Sequence, residues 1–307
     1  MKRAVLLLLL VLPATQGCSL NGLVVDRLGD GLARGGSTFA SDDDPELVEA
    51  AAPFSLKLME SLLAERPEHR GLRLAAARGF TQYAYAFIQE EADEREDVDF
   101  GAAEALRVRA RKLYLRSRDH GLRGLEAAHP GFREALAANP KGCADRTGAA
   151  DVPLLYWTAV AWASAVSLSK DDPRLVSTLP QVEALIDRAL ELQEDFEAGA
   201  IHAFLISYEA ARQASEPPAE RARRHFQRAM ELGRGSQAAP LVALAEAVSL
   251  QRQDQSEFES LLEQALAIDV DADPEHRLAN LVMQRRARWL RSRTDRLFVH
   301  AEGGDTP

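Results

Sequence analysis

Aromatic and amide side chains on two faces of one helical segment are the residues best suited to binding a ligand. In the segment GFTQYAYAFIQEEAD, Tyr83 and Phe87 share one face, whereas Tyr85 and Gln89 lie on another, because successive residues of an α-helix are about 100° apart. One apolar face is enough to pack on a single neighbouring helix. The other face offers a phenol and an amide beside apolar side chains, which suits a partly polar ligand cleft.

A second aromatic segment, LLYWTAVAWASAVSLS, also spreads its rings around the helix, and a third helix combines a histidine with aromatic residues. Aromatic residues at helical spacing are usually core, so core packing is the alternative for each of them. For the histidine the alternative is a hydrogen-bonded interior residue. The residues predicted to line a ligand cleft are Tyr85, Gln89, Gln82, Tyr156, Trp157, Trp162, His202 and Tyr208.

Motifs of catalysis are missing from the sequence. It has no GxSxG elbow, no GxxxxGK[ST] phosphate loop, no HExxH and no CxxC, and its seven histidines are scattered. The run Asp42-Asp43-Asp44 could suggest calcium, but a helix cap before Pro45 explains it better. We therefore predict a protein that is not an enzyme, with no catalytic residues, no metal site and no cofactor.

The first 17 residues are typical of a signal peptide. A charged start is followed by AVLLLLLVL, an apolar run of nine residues, too short to span a bilayer, which takes about 20. Small residues precede Cys18, which predicts a lipidated cysteine and a tether over residues 18–43; a plain signal peptide with an incidental cysteine is the alternative. Ser19 is not the aspartate that retains lipoproteins at the inner membrane, which favours the outer membrane. The remaining cysteine, Cys143, then has no disulfide partner.

The net charge argues against one class of partner, whereas local clusters of basic residues suggest another. The chain carries a formal charge of -10, which argues against binding nucleic acid. Two basic helices stand out, and they either pair with acidic helices inside the fold or dock a partner protein or anionic head groups. An acidic run from Glu90 to Asp99 is expected to be solvated. The residues predicted to bind a partner are Arg109, Arg116, Arg285 and Arg288.

Helix signals extend over residues 44–298, followed by a tail at 299–307 predicted to be disordered. Asp-Pro pairs that start helices occur at Asp44, Asp172 and Asp273. An apolar motif with a central alanine recurs at Ala189, Ala229 and Ala265, 40 and then 36 residues apart, each time followed by a break and a second helix. The pattern predicts an all-α fold of tetratricopeptide-like helical pairs in an irregular solenoid.

Four segments in order resemble one family: STFASDDDPELV, LLAERPEHRGLRLAAARGFTQYAYAFIQEEAD, DVPLLYWTAVAWASAVSL and ADPEHRLANLVMQRRARWLRSR. They look like the T component of tripartite ATP-independent periplasmic (TRAP) transporters, called TatT, over Ser37 to Arg293. The resemblance implies a periplasm-facing lipoprotein that forms homotrimers and docks the solute-binding P component. It also implies that a small hydrophobic or organic-acid ligand passes through an internal cleft. The alternative function is a tetratricopeptide-like scaffold for assembly of outer-membrane proteins or the envelope.

Overall fold

The computed structural model describes Arg27, Gly31 and residues 36–299, and every regular element in residues 36–299 is a helix. The all-α prediction is therefore confirmed for this part of the chain. Cys18 and the predicted signal peptide lie outside the described residues, as does the predicted tail apart from Val299. None of the described helices is both long and apolar enough to span a bilayer.

In the N-terminal half, the described residues form seven α-helices and one π-helical segment. The first π segment, Ala84–Gln89, joins α3 directly to α4. The helices are α1 (Gly36–Ala40), α2 (Pro45–Glu65), α3 (Arg70–Tyr83), α4 (Glu90–Arg95), α5 (Phe100–Ala128), α6 (Phe132–Ala138) and α7 (Pro140–Ala144).

The C-terminal half contains nine further α-helices within the described residues. A second π segment, Ala245–Ser249, continues α13, and short 3₁₀ turns occur at Ala149–Asp151, Phe196–Ala198 and Pro274–His276. The helices are α8 (Val152–Ser167), α9 (Pro173–Val176), α10 (Leu179–Leu192), α11 (Ala200–Ala211), α12 (Pro218–Leu232), α13 (Ala239–Leu244), α14 (Gln255–Leu266), α15 (Arg277–Arg291) and α16 (Thr294–Leu297).

Two of the three Asp-Pro signals start α-helices. The Asp44 carboxylate accepts a hydrogen bond from the backbone N–H of Leu47 at 2.9 Å, and Asp172 accepts one from Arg174 at 3.0 Å. Each cap satisfies a donor that a helix N-terminus otherwise leaves unpaired. Asp273 instead precedes a 3₁₀ turn, and its carboxylate lies 2.9 Å from Nδ1 of His276.

Neighbouring helices in the sequence also tend to pack together. The long helix α5 lies between α3 and α8, and α10 packs on α8; farther along the chain α11 packs on α12 and α14 on α15. Three apolar clusters result: an N-terminal one around Phe80 and Tyr114, a middle one around Leu155, and a C-terminal one around Phe258. The tetratricopeptide-like solenoid itself stays a prediction.

Glycines allow α5 to approach its neighbours closely. A Cβ at Gly121 would overlap Oγ1 of Thr158 on α8 and lie 3.0 Å from the Cβ of that threonine. A Cβ at Gly124 would lie 2.8 Å from Cδ2 of Leu154 and 3.1 Å from Cβ of Arg73. Real Cβ atoms essentially never come within 3.0 Å of another atom, so glycine is required at Gly121, where α5 crosses α8; at Gly124 the Leu154 methyl is the flexible end of a side chain and can shift.

Candidate functional site at the junction of two π-helical segments

Both π segments lie beside the basic helix α15. In the first segment the N–H of Glu90 donates to the carbonyl of Tyr85, and in the second the N–H of Leu250 donates to the carbonyl of Ala245 at 2.9 Å. These are bonds to the fifth preceding residue, which define a π-helix. Such segments are rare and frequently occur at functional sites. Each one carries a residue whose polar group reaches toward α15.

Tyr85 joins two of the apolar clusters. Its ring packs against both the N-terminal and the C-terminal clusters, and its hydroxyl lies 3.7 Å from Sδ of Met283 on α15. Burial, together with the charge of Glu90, raises the pKa of Tyr85 well above its ordinary value. The phenol therefore stays neutral and can donate a hydrogen bond.

Arg286 binds three carboxylates at this junction. Its Nη1 lies 2.9 Å from Oδ2 of Asp93 and 3.4 Å from Oε2 of Glu90, and its Nη2 lies 2.6 Å from Oε1 of Glu246 in the second π segment. The side chain of Arg286 is 11% exposed and that of Glu90 is 3% exposed. The buried guanidinium of Arg286 therefore links the continuous helix of α3 and α4 to two C-terminal elements, α15 and the second π segment.

Charges in this junction are strongly coupled. Burial raises the pKa of Glu90 to about 7, although the positive charge of Arg286 opposes the shift. Burial alone would lower the pKa of Arg286, but Glu246 and Glu90 raise it above its ordinary value. Arg286 is therefore always charged, while Glu90 can take up or release a proton near neutral pH.

More exposed ion pairs extend this junction along α4 and α15, and we call the whole set the charged seam. Arg285 forms a two-pronged contact with Glu94, with N–O distances of 3.0 and 2.7 Å. Nη1 of Arg293 lies 2.6 Å from Oδ2 of Asp97. The guanidinium groups of Arg286 and Arg293 also lie 4.5 and 4.7 Å from the ring centre of Trp289.

The seam corrects one expectation from the sequence. The acidic run that begins at Glu90 was expected to be solvated, yet Glu90 is buried and three of the acidic residues that follow pair with arginines of α15 and the turn after it. The basic helix that covers the run is almost 200 residues away in the chain. These pairs match the alternative in which basic helices pair with acidic helices inside the fold, although local composition did not indicate which acidic segment is the partner.

Replacing Glu90 with glutamine is expected to change how stability depends on pH. Glu90 titrates near 7 in the folded protein but near 4.5 when unfolded, so its stabilising contribution is fully present below about pH 4.5 and is lost as pH rises through 7. We expect the unfolding free energy of the wild type, relative to Glu90→Gln, to fall between pH 4.5 and 7. Urea unfolding followed by circular dichroism measures it, and parallel curves for the two proteins would contradict the assignment.

The first three predicted cleft residues take different positions. Tyr85 lies in the seam. The side-chain oxygen of Gln89 accepts a hydrogen bond from the Tyr114 hydroxyl at 2.7 Å, and Tyr114 is fully buried. Gln82 is exposed to solvent. Of these, Tyr85 alone is in contact with the buried charges.

The aromatic residues of α8 belong to the middle apolar cluster. Tyr156, Trp157 and Trp162 are each 7% exposed. The Trp162 indole donates to Oγ1 of Thr178 at 2.8 Å, and the Tyr156 hydroxyl donates to the carbonyl of Ala200 at 3.4 Å. Guanidinium groups also cover both indoles, at 5.5 Å for Trp157 and 5.1 Å for Trp162. These contacts are those of packed residues, with the polar atoms of Tyr156 and Trp162 hydrogen-bonded.

His202 has a partner that the sequence did not indicate. Its Nδ1 lies 2.8 Å from Nδ1 of His225 on α12, and its Nε2 lies 3.2 Å from Oε1 of Glu194. Burial and the neighbouring His202 lower the pKa of His225 to about 4, and burial also lowers the pKa of His202, so both rings are neutral at pH 7 and can share one hydrogen bond. Tyr208 lies apart and donates to Glu183 at 3.4 Å. Among the described residues, no three His, Cys, Asp or Glu side chains are arranged to hold a metal ion.

The four arginines predicted to bind a partner lie on two helices, two on α15 and two on α5. Arg285 belongs to the charged seam, while Arg288 on the same helix is exposed. Arg109 is exposed and lies 3.5 Å from the Tyr83 hydroxyl. Arg116 is half exposed; its Nε lies 2.7 Å from Oε1 of Glu60, and its guanidinium covers the ring of Phe80.

Two surface grooves are present outside the seam. One, of about 410 Å³, lies beside α5 and includes Arg116 and His120. The other, of about 380 Å³, lies between α7 and α10 and includes Arg188 and Arg212. None of the eight predicted cleft residues lines either groove. The ligand cleft therefore stays a prediction.

Two comparisons with known proteins each match most of this chain. A family model described as TRAP transporter T-component matches residues 41–298. The chain is also 31% identical over 266 residues to an uncharacterized protein of Treponema pallidum (strain Nichols), an alignment covering 85% of this chain and 82% of that relative. The matched region spans the seam, both grooves and all eight predicted cleft residues.

Proposed function

Because the chain belongs to the TRAP transporter T-component family, we propose that it is a non-enzymatic accessory protein that docks the solute-binding P component. The observation that carries this proposal is the family match over residues 41–298. In this role the protein holds the solute-binding protein beside the membrane and receives or delivers its small hydrophobic or organic-acid ligand. The P component is therefore the first partner to test.

The charged seam supports a ligand role for the region around Tyr85. A neutral phenol, a thioether and a carboxyl group that titrates near pH 7 meet there, between two apolar clusters. Small-molecule sites are usually lined by apolar side chains and contain a small number of polar groups. The two π segments supply Tyr85 and Glu246, so a ligand entering here would contact both halves of the protein.

Membrane attachment and assembly complete the proposal. The lipid on Cys18 would anchor the protein in a membrane facing the periplasm, with the outer membrane favoured over the inner. A homotrimer is the expected assembly in this family. Both features depend on the family and on the N-terminal sequence, and sedimentation of the purified protein with membrane fractionation would test them.

Recovery of a solute-binding protein is the direct test of docking. Tagged protein is purified from membrane extract in mild detergent, and the bound proteins and small molecules are identified by mass spectrometry. We expect a TRAP solute-binding protein in the eluate, together with a hydrophobic or organic-acid compound. Recovery of outer-membrane assembly factors without a solute-binding protein would contradict the proposal and support a scaffold role.

Tyr85→Phe tests the ligand part separately. The change removes a single hydroxyl, so the ring still packs against both clusters and the helical circular dichroism spectrum should be retained. We expect a loss of about two- to tenfold in the co-purified small molecule, because a neutral hydrogen bond contributes about 0.5–1.5 kcal/mol. The matched control is Tyr208→Phe, which removes a hydroxyl outside the seam; equal ligand occupancy in both variants would contradict a site at Tyr85.

A further inference from the structure

Basic residues form one outward-facing stripe along α5. Arg109, Lys112, Arg116 and Arg123 follow one another at spacings of three, four and seven residues, which places them on one side of the helix. All four are exposed. At 1.5 Å per residue the stripe is about 21 Å long, and we call these four residues the α5 basic stripe.

Charges in the stripe are incompletely neutralised by the rest of the protein. Within the described residues, Lys112 and Arg123 form no hydrogen bond or ion pair, whereas Arg116 pairs with Glu60 through Nε. Like charges four residues apart, as at Lys112 and Arg116, destabilise a helix. In a chain with a net charge of -10, Lys112 and Arg123 thus carry positive charge that no ion pair among the described residues offsets.

The groove of about 410 Å³ runs beside this stripe. The acidic residues in it are already engaged: the Glu60 carboxylate contacts Lys57, Arg116 and His120, and Asp119 accepts two hydrogen bonds from Arg118. The residues that line the groove are Glu60, Lys112, Leu115, Arg116, Asp119, His120 and Arg123.

The groove suits one kind of occupant. Leu115 is the single apolar side chain in its lining, whereas small-molecule sites are mostly apolar and enclose their ligand. Nη1 of the buried Arg73 lies 3.0 Å from Nδ1 of the lining residue His120 and adds positive charge. An open surface that carries Lys112, Arg116 and Arg123 is complementary to a row of carboxylates on another protein.

We propose that the α5 basic stripe and its groove dock an acidic segment of a partner protein. This inference rests on the proposed function only in that the partner would be the solute-binding component. Arginine binds carboxylates with two parallel hydrogen bonds, and Nη1 and Nη2 of Arg116 remain available while Nε holds Glu60. Charge complementarity of this kind accelerates association and weakens as salt is added.

A fluorescent acidic peptide tests the stripe without the native partner. The probe is a labelled peptide of about eight alternating Glu and Ala residues, long enough when extended to cover the stripe. Fluorescence anisotropy with the full-length protein at about 0.05 M and 0.15 M salt should show saturable, salt-sensitive binding. The double variant Lys112→Glu/Arg123→Glu should bind at least about tenfold more weakly.

The matched control changes charge by the same amount at a distance from the stripe. Arg146→Glu/Lys170→Glu replaces two exposed cations and should leave peptide affinity within about twofold of wild type. Equal losses in the two double variants, or no saturable binding by the wild type, would overturn the proposal. So would stripe-dependent binding to vesicles containing phosphatidylglycerol without peptide binding. Circular dichroism confirms that each variant remains helical.

Purifying each variant from membrane extract and testing for the solute-binding protein distinguishes this inference from the proposed function. If the wild type and the control double variant recover the solute-binding protein and the stripe double variant does not, the inference and the proposed function both hold. If the stripe variant recovers it undiminished, the stripe is not the docking surface, although the T-component role stands. If no protein recovers it, the proposed partner is wrong, and saturable peptide binding alone decides whether the stripe docks acidic segments.

Discussion

Replacing Arg286 with alanine is expected to lower the free energy of unfolding by about 3–5 kcal/mol at pH 8, because it leaves one buried and two half-buried carboxylates without their counter-charge. The Glu90 side chain is 3% exposed, and Asp93 and Glu246 also face the same guanidinium. Removing one partner of a buried ion pair is costly even where the intact pair contributes little to stability. Urea unfolding followed by circular dichroism measures the change.

Two further variants show whether the loss comes from the buried charges. Arg288→Ala removes an exposed arginine of the same helix and should change the unfolding free energy by less than about 0.5 kcal/mol. Arg286→Ala combined with Glu90→Gln should recover part of the loss, because the two groups interact directly. Equal effects of Arg286→Ala and Arg288→Ala would show that the seam does not hold the two halves together.

Replacing Gly121 with alanine is expected to destabilise the protein by about 2–3 kcal/mol, the upper part of the usual range for overpacking. The new methyl group would overlap Oγ1 of Thr158 and lie 3.0 Å from its Cβ, which cannot move unless the backbone of α8 moves with it. This outweighs the gain of up to about 1 kcal/mol that alanine has over glycine in a helix. Thermal and urea unfolding give the difference.

Gly101→Ala is the matched control on the same helix. A Cβ there would meet Oδ1 of Asp99 at 3.5 Å, an ordinary contact, so we expect unchanged or slightly higher stability. Thr158→Ala in the Gly121→Ala background should recover part of the loss, since it removes the overlapping oxygen. If Gly121→Ala were as stable as Gly101→Ala, α5 and α8 would not be packed as described.

Local signals explain which features could be predicted from the sequence. Asp44 and Asp172 cap helices through contacts two or three residues away, and the composition favours helix throughout. The family could be identified because several ordered segments, including the one around Tyr85, resemble it together. Such information lies within short stretches of the chain, and the structure and the comparisons confirm it.

Contacts between distant residues explain what the sequence did not indicate. Glu90 and Arg286 are 196 residues apart, and neither is unusual in its own segment. The π segments add a residue to a turn and change which side chains face α15, so projections based on 100° per residue misjudge the faces beyond Tyr83. His225 was missed because nothing near it in the sequence marks it as the partner of His202.

Trp289 gives the charged seam an optical reporter. The chain contains three tryptophans, and Trp289 is the one covered by both Arg286 and Arg293. With Trp157 and Trp162 replaced by phenylalanine, the tryptophan emission would come from Trp289 alone. A shift in its wavelength or intensity on adding a solute would then report in real time that the surroundings of this indole had changed.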